Sequence, residues 1–495
     1  MQVLAPARTI PELLLDQARS QPDELAVAAP AGRALTWSDL ESRVRAVATS
    51  LRRAGVDEQD VIVLSLPNGL DTVLVLLAAM SAAVAAPRNP ALTVVEARGE
   101  LVRAGAGHVV VDGGDTPAGE AATALGIPQL DLHALLAAAE TDLERPPASD
   151  AVSLLLPTTG TTGTPKLVQL SHANLLAAAS ITAQTLELTP DDRCLNVMPL
   201  FHTHGLVGGL LASLHAGASI VCTRTVDDRS LLAGARTYGP TWTTAAPALQ
   251  HVILNTARAN PGAFRFRFVR STSAPLPPAL FAELARTFAA PVVEAYALTE
   301  APGQITSNPL PPLARKPGTV GFARGCEVRL LDDDGARGDV GEILVRGPHV
   351  TRGYLGATSD EFVDDWLRTG DLGRFDDDGY LTIVGRVKEM INRGGEKVSP
   401  RDVDDVLQLH PAVRDAAAFA IPHRTLGEDV CAAVVLEDGA VLDAADLIRF
   451  ARERLAAYKV PTRIVFVDRL PRTAVGKIPR HALAAELFPG QGQPA

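Results

Sequence analysis

The chain predicts an α/β protein: a large multi-layer N-terminal domain with mostly parallel sheets plus a small β layer, then a C-terminal α+β domain. Three observations carry this. From Pro11 to about Pro240, helical patterns alternate with short apolar runs across brief Gly/Pro breaks. Val61–Pro67 precedes Asp71–Ala83, and His108–Asp112, Ala218–Cys222 and Thr241–Ala246 follow; such alternation marks parallel strands crossed over by helices. From Lys316 to Val384 the pattern turns to short β segments between Gly and Asp turns, among them CEVRLLDDDG and GEILVRG, which predicts a smaller antiparallel layer. Past Gly385-Arg386-Val387-Lys388 a separate strand–helix alternation begins, so the expected domains are 1–385 and 389–495, joined at 386–388.

Composition bounds the function. A chain of 495 residues exceeds one ordinary core. Its 47% hydrophobic and 21% charged content is that of a soluble globular protein. The longest apolar run, Thr72–Pro87, is too short to cross a bilayer and reads as a buried helix followed by a strand. MQVLAPARTI joins no basic segment to an apolar one, so no secretory leader is expected. Cys194, Cys222, Cys326 and Cys431 lie far apart without metal-ligand spacing, which predicts a reducing cytoplasm. A net charge of −11 argues against nucleic acid and anionic membranes as partners. A cytosolic enzyme is the simplest reading.

The stretch VSLLLPTTGTTGTPKLVQ, Val152–Gln169, is the most informative. A buried strand feeds a loop of Thr158, Thr159, Gly160, Thr161, Thr162, Gly163, Thr164, Pro165 and Lys166, and Ser171-His172-Ala173-Asn174 then opens a helix. Glycines and hydroxyls there can converge on an oxyanion, with Lys166 adding a point charge; a phosphate chain is the matching ligand. Only six of the 46 basic residues are lysine, so a lysine in such a loop is unlike a generic solubilising charge. Pro165 before the lysine rules out a Walker loop. A flexible Thr/Gly linker is the competing explanation.

His202 and His204 sit at a turn between a strand and a glycine-rich helix, and no third ligand spaced for a metal accompanies them. Phe268–Ser273 and Pro291–Leu298 read as strands running into the polar turns RSTSAPLP and EAYALTEA. Ligands of open α/β sheets bind beyond the carboxyl ends of strands, where these turns fall. Tyr296 offers a face for a base, Thr299 a hydroxyl, and Glu300 a carboxylate suited to a magnesium ion that shares its shell with phosphates. Asp371 in TGD can hold vicinal ribose hydroxyls or be a turn aspartate. Ser399-Pro400-Arg401-Asp402 is a helix start with Ser399 as N-cap. Lys477 lies in a Gly-flanked turn near the C-terminus.

In chain order, TTGTTGTPK, PLFHTHG, YALTE, RTGD, GRVKEMINRGGEKVSP and PRTAVGK resemble the acyl-adenylate-forming superfamily of acyl-CoA synthetases, luciferases and peptide-synthetase adenylation domains. FHTHGLVGGLLASL, VRGPHVTRGY and INRGGEKVSPRDVD look most like the oxalate–CoA ligases. The resemblance covers nearly the whole chain. It implies that a carboxylate attacks the α-phosphorus of ATP with Mg2+ present, and that the thiol of coenzyme A then displaces AMP. By resemblance, Thr158 to Lys166 hold the β- and γ-phosphates, and Tyr296, flanked by Glu294 and Ala295, stacks on adenine. Ser273, Ala274 and Pro275 line the base and acyl pocket. Thr299 touches the α-phosphate, Glu300 the magnesium, and Asp371 and Arg386 the ribose. Lys477 bridges carboxylate and α-phosphate, and His202 joins the catalytic group. The acid is held at His204, Ser273 and Gly303. Lys388, Gly394, Gly395 and Lys397 serve the hinge and the thiol channel of a mobile C-terminal domain.

Two departures stand out. The oxalate-like group carries a histidine two residues beyond its Thr-Glu-Ala tripeptide, where this chain has Gly303, and Arg88 replaces an apolar residue in PRNP. Losing a donor there weakens a second carboxylate unless another group replaces it. A small-acid–CoA ligase is the leading expectation. The alternatives are a fatty acid–CoA ligase, an adenylating enzyme with a non-CoA acceptor such as an aryl amine diazotised through nitrite, and an adenylate-binding protein without turnover. Either a monomer or a homodimer fits.

Overall fold

The computed structural model describes residues 8–30, 32–113, 115–139, 146–158, 165–331, 339–356, 361–473 and 478–488. They fall into two compact units: one holds residues up to 158 with 165–327 and 346–356, the other 328–345 and 361–488. The small antiparallel sheet therefore clusters largely with the C-terminal segment, and the junction read at 386–388 lies inside the second unit.

Helices of the first unit begin where short polar side chains close capping boxes: Thr9 with Glu12, Thr36 with Asp39, Thr93 with Glu96 and Ser171 with Asn174. Two sheets result. One has six strands in the order Gln129–Asp131, Ala106–Val111, Val61–Ser65, Val84–Pro87, Val152–Pro157 and Leu167–Ser171. All its pairings are parallel except the last. Thr72–Pro87 resolves as expected into a buried helix, Leu70–Ala82, and the strand Val84–Pro87. The strand Leu167–Ser171 was not anticipated; it pairs antiparallel with Val152–Pro157.

The other sheet has nine strands, in the order Phe322–Ala323, Thr306–Ser307, Val292–Tyr296, Phe268–Ser271, Trp242–Ala245, Arg193–Asn196, Ser219–Cys222, Leu25–Ala28 and Ala34–Thr36. The six strands from Val292–Tyr296 to Leu25–Ala28 pair in parallel, with antiparallel pairs at both edges. Trp242 and Phe268 stack across neighbouring strands at 5.3 Å and fill the core beneath.

The second unit contains the antiparallel layer, with Trp366–Phe375 as its central strand, and a further sheet of Ile391–Arg393, Glu396–Val398, Val413–His423, Gly427–Leu436 and Arg463–Phe466. Gly394 and Gly395 both have positive φ, +62° and +96°, which a two-residue hairpin turn of this type requires. The helix Pro400–Leu407 starts after Ser399 as expected, yet the Ser399 hydroxyl donates to the Val384 carbonyl and does not cap. All four cysteines are free, and no helix among the described residues is long and apolar enough to cross a membrane.

Arg480 opens the last helix, Arg480–Leu487, three residues after Lys477. It pairs with Asp404 (Nη2–Oδ2 2.5 Å) and donates to the Ala418 carbonyl (2.6 Å). Burial pushes the Asp404 carboxyl up to about 6 in spite of Arg480. Removing one partner of a buried pair strands the other charge, so Arg480→Met should cost about 3–5 kcal/mol in urea denaturation. Adding Asp404→Asn should recover most of that loss; a single variant within about 0.5 kcal/mol of wild type would contradict the anchor.

Candidate active site

The nine-stranded sheet delivers its polar turns in step. Thr244 is opposite Arg270, Ala245 opposite Ser271, and Ser271 opposite Glu294. Ser273 and Tyr296 each lie two residues beyond the paired Ser271 and Glu294, so both leave the same carboxyl edge. The Thr272 hydroxyl donates to the Ala295 carbonyl (2.7 Å) and ties the two turns together. Ser273 holds a left-handed conformation, φ +77°, which costs a non-glycine residue about 1–3 kcal/mol and clusters at ligand clamps. Ala274 is half-buried and Pro275 exposed.

His204 packs against this edge. Its Nδ1 lies 2.9 Å from Ser273 Oγ and its Nε2 2.6 Å from Thr244 Oγ1. Burial, then the nearby Arg270 and His202, push the imidazole well below its usual range, so it is neutral. The helix carrying it, His204–Leu211, is π-wound, a form frequent at functional sites. Its glycines permit close approach: a Cβ at Gly205 would meet the Pro199 carbonyl at 2.5 Å, and one at Gly208 would meet Arg270 Nη1 at 3.0 Å. Arg270 donates to Thr244 Oγ1 (3.3 Å) and the Gly303 carbonyl (2.8 Å). His202 is half-buried against the Phe201 ring at 4.7 Å.

A second group centres on Tyr354. Thr158 and Lys166 face each other at the hairpin mouth, with Thr158 N–H on the Lys166 carbonyl (2.7 Å) and Lys166 N–H on Thr158 Oγ1 (3.1 Å). Lys166 Nζ lies over the Tyr354 ring, 5.0 Å from its centroid. The Tyr354 hydroxyl donates to Glu300 Oε1 (3.1 Å), and Thr351 N–H donates to the Glu300 carbonyl (2.8 Å). Leu355 N–H on the Leu167 carbonyl (2.8 Å) and Asn174 Nδ2 on the Pro348 and Val350 carbonyls lock this segment to the hairpin and its helix. The loop lysine and the Thr-Glu-Ala carboxylate are thereby joined through one aromatic ring. Sequence reasoning missed Tyr354 and Thr351.

Tyr296 and Thr299 are half-buried at the start of the loop between Val292–Tyr296 and Thr306–Ser307. Ala295 is buried, and the buried Glu294 accepts Gly318 N–H (3.1 Å). Glu300 offers a carboxylate outside any protein cage: no group of three or more His, Cys, Asp or Glu able to hold a metal exists among the described residues. That donor set fits magnesium, which keeps waters and takes phosphate oxygens in preference to an all-protein cage. Arg88 is structural, buried and paired with Glu100 (2.9 Å) while donating to the Leu155 carbonyl (3.0 Å).

In the second unit Asp371 and Arg386 are opposite in adjacent strands and joined Nε–Oδ1 at 2.7 Å. Lys388 lies in the short turn Val387–Glu389; Lys397, Gly394 and Gly395 are exposed on the hairpin. Thr159 to Thr164 and Lys477 lie outside the described residues.

The family model "AMP-binding enzyme" matches residues 14–355, and the "AMP-binding enzyme C-terminal domain" matches 402–477. The chain belongs to the AMP-binding enzyme family. Across 96% of its length it is 38% identical to an oxalate–CoA ligase of Arabidopsis thaliana, covering 98% of that protein. It is 44% identical over 68% of its length to the oxalate–CoA ligase of Saccharomyces cerevisiae, covering 63% of that protein. ATP-bound MatB from Rhodopseudomonas palustris has the same fold, with a TM-score of 0.90, 28% identity, and coverage of 98% of this chain and 100% of that one.

In this member of the AMP-binding enzyme family, Tyr354 links the Glu300 carboxylate and the Lys166 ammonium. Tyr354→Phe keeps the face under Lys166 and loses the hydroxyl, so kcat/KM for ATP should fall about fivefold to tenfold in a pyrophosphate-release assay. Tyr354→Leu loses the ring too and should fall further; equal rates for the two variants would contradict this role.

Proposed function

We propose that this protein is an ATP-dependent acid–thiol ligase that adenylates a small carboxylic acid and passes the acyl group to coenzyme A. One observation carries the reading: the acid-side pair Ser273–His204 and the nucleotide-side Tyr296–Thr299–Glu300 turn leave the same edge of one parallel sheet. In the first step a carboxylate oxygen bonds to the α-phosphorus and the bond to the pyrophosphate oxygen breaks. In the second the thiol sulfur bonds to the acyl carbon, AMP leaves, and the thiol proton goes to solvent.

Both partners in the first step are anions, so positioning and charge carry the catalysis. Lys166 and the Thr158–Thr164 loop grip the β- and γ-phosphates, Tyr296 stacks on adenine, and Thr299 contacts the α-phosphate. Asp371 and Arg386 take the ribose. Glu300 would hold magnesium, which when bound neutralises phosphate charge. Lys477 bridges carboxylate and α-phosphate, and reorientation about 386–388 exchanges it for the Gly394–Gly395 turn in the second step. Oxalate is the favoured acid, supported by the two oxalate–CoA ligase relatives and by Ser273 and His204. The setting is the cytoplasm, where free thiols such as these four persist.

A pyrophosphate-release panel over oxalate, malonate, short and medium fatty acids, aryl acids and nitrite with an aryl amine, each with and without CoA, tests this. Oxalate or another small acid should release pyrophosphate and consume CoA in equal amounts. Release without CoA consumption, or no release with any acid, overturns the proposal. Lys477→Ala should slow adenylation about 10²–10³-fold while a supplied acyl-adenylate is still thioesterified; equal loss of both steps would contradict the division of labour.

A further inference from the structure

Arg270 is fully buried in the strand Phe268–Ser271 and forms no ion pair among the described residues. Its guanidinium meets two oxygens, Thr244 Oγ1 and the Gly303 carbonyl, and its Nε has no acceptor. Buried charges are ordinarily paired or fully hydrogen-bonded. This one is neither, and it lies three residues before the strained Ser273 and one hydroxyl, Thr244 Oγ1, away from the neutral His204.

Proton bookkeeping gives the cluster a direction. Arginine only donates, so Thr244 Oγ1 accepts from Arg270 Nη1. The buried Thr244 hydroxyl then has one described acceptor for its own proton, His204 Nε2 at 2.6 Å. The opposite arrangement, with Nε2–H donating, leaves the Thr244 proton with none. With Nε2 accepting, the neutral ring carries its proton on Nδ1 and donates it to Ser273 Oγ, 2.9 Å away. Ser273 Oγ has no other described partner, and the residue is partly open to solvent. Its own proton is therefore free for a ligand.

We propose that Arg270 is a positioning residue: through Thr244 it fixes His204 as the Nδ1–H tautomer and turns Ser273 into a hydrogen-bond donor aimed at the distal carboxylate of a short dicarboxylic acid. This rests on the acid–thiol ligase reading. It also accounts for Gly303. A Cβ there would lie 2.8 Å from Thr182 Oγ1 and 3.1 Å from the Ala178 carbonyl, so no histidine fits. Arg270 instead holds the Gly303 carbonyl, and the donor for the second carboxylate comes from Ser273.

Arg270 variants risk misfolding, so the test uses Thr244→Val, which keeps the shape and removes the hydroxyl, and Thr244→Ser, which restores it. In the full-length enzyme labelled with ¹⁵N-histidine, and with His204 assigned by difference against His204→Gln, the wild type should show an unprotonated Nε2 and a protonated Nδ1. Thr244→Val should shift or mix that tautomer, and Thr244→Ser should keep it. In the ligase assay, Thr244→Val should raise KM for oxalate or malonate about tenfold more than for acetate or propionate of the same length, with the larger change in KM than in kcat. Thr244→Ser should reverse the difference. A wild-type Nε2–H tautomer, or equal KM changes for diacid and monoacid, overturns the proposal. Failure of the wild type to activate any carboxylic acid refutes the ligase reading instead, and the tautomer measurement still decides the relay.

Discussion

Parallel strands that end in register are the constraint on which this molecule's chemistry depends. The pairings Thr244–Arg270, Ala245–Ser271 and Ser271–Glu294 bring three sequence-distant turns to one edge. A slip of one residue would reverse every side chain between the faces of the sheet, taking Arg270 away from Thr244 and Ser273 away from His204. The register is secured by the buried interior, where Trp242 and Phe268 stack and the strand side chains are almost wholly out of solvent. Packing that looks purely structural thus sets where the polar groups meet.

The edge carries two different electrostatic environments. Around Tyr354 the groups, Lys166 and Glu300, are half-buried and oppositely charged. Around His204 the surroundings are dry and the imidazole is held neutral, with Arg270 itself pushed down to about 10 by burial. A low local dielectric makes an unpaired guanidinium costly and also makes its field strong. The left-handed Ser273 is a further local cost that the surrounding sheet sustains.

Much of this was legible in the sequence because the motifs are locally dense. The Thr/Gly loop, the His202–His204 turn, and the Thr-Glu-Ala turn each gather unusual residues within a few positions, and the alternation of apolar runs predicted the parallel sheets. What stayed hidden depends on long-range partners. Tyr354 meets Glu300 across 54 residues and nothing local distinguishes it from a loop tyrosine. Arg270 sits in a four-residue buried strand, where its charge looks like an interruption. Arg88 looked like a departure from an apolar residue in PRNP, and its partner Glu100 lies twelve residues on. Ser399 has the identity of a cap, but the Val384 carbonyl takes its hydroxyl. The return strand Leu167–Ser171 was masked by the helix start that follows it immediately.

The most direct test of the central claim is an isotope transfer. With uniformly ¹⁸O-labelled oxalate, ATP, Mg2+ and CoA, attack of the carboxylate on the α-phosphorus leaves one carboxylate oxygen on the nucleotide. The account predicts AMP carrying one ¹⁸O per turnover, read by mass spectrometry. Unlabelled AMP formed alongside oxalyl-CoA, with the label in released phosphate or pyrophosphate, would contradict it.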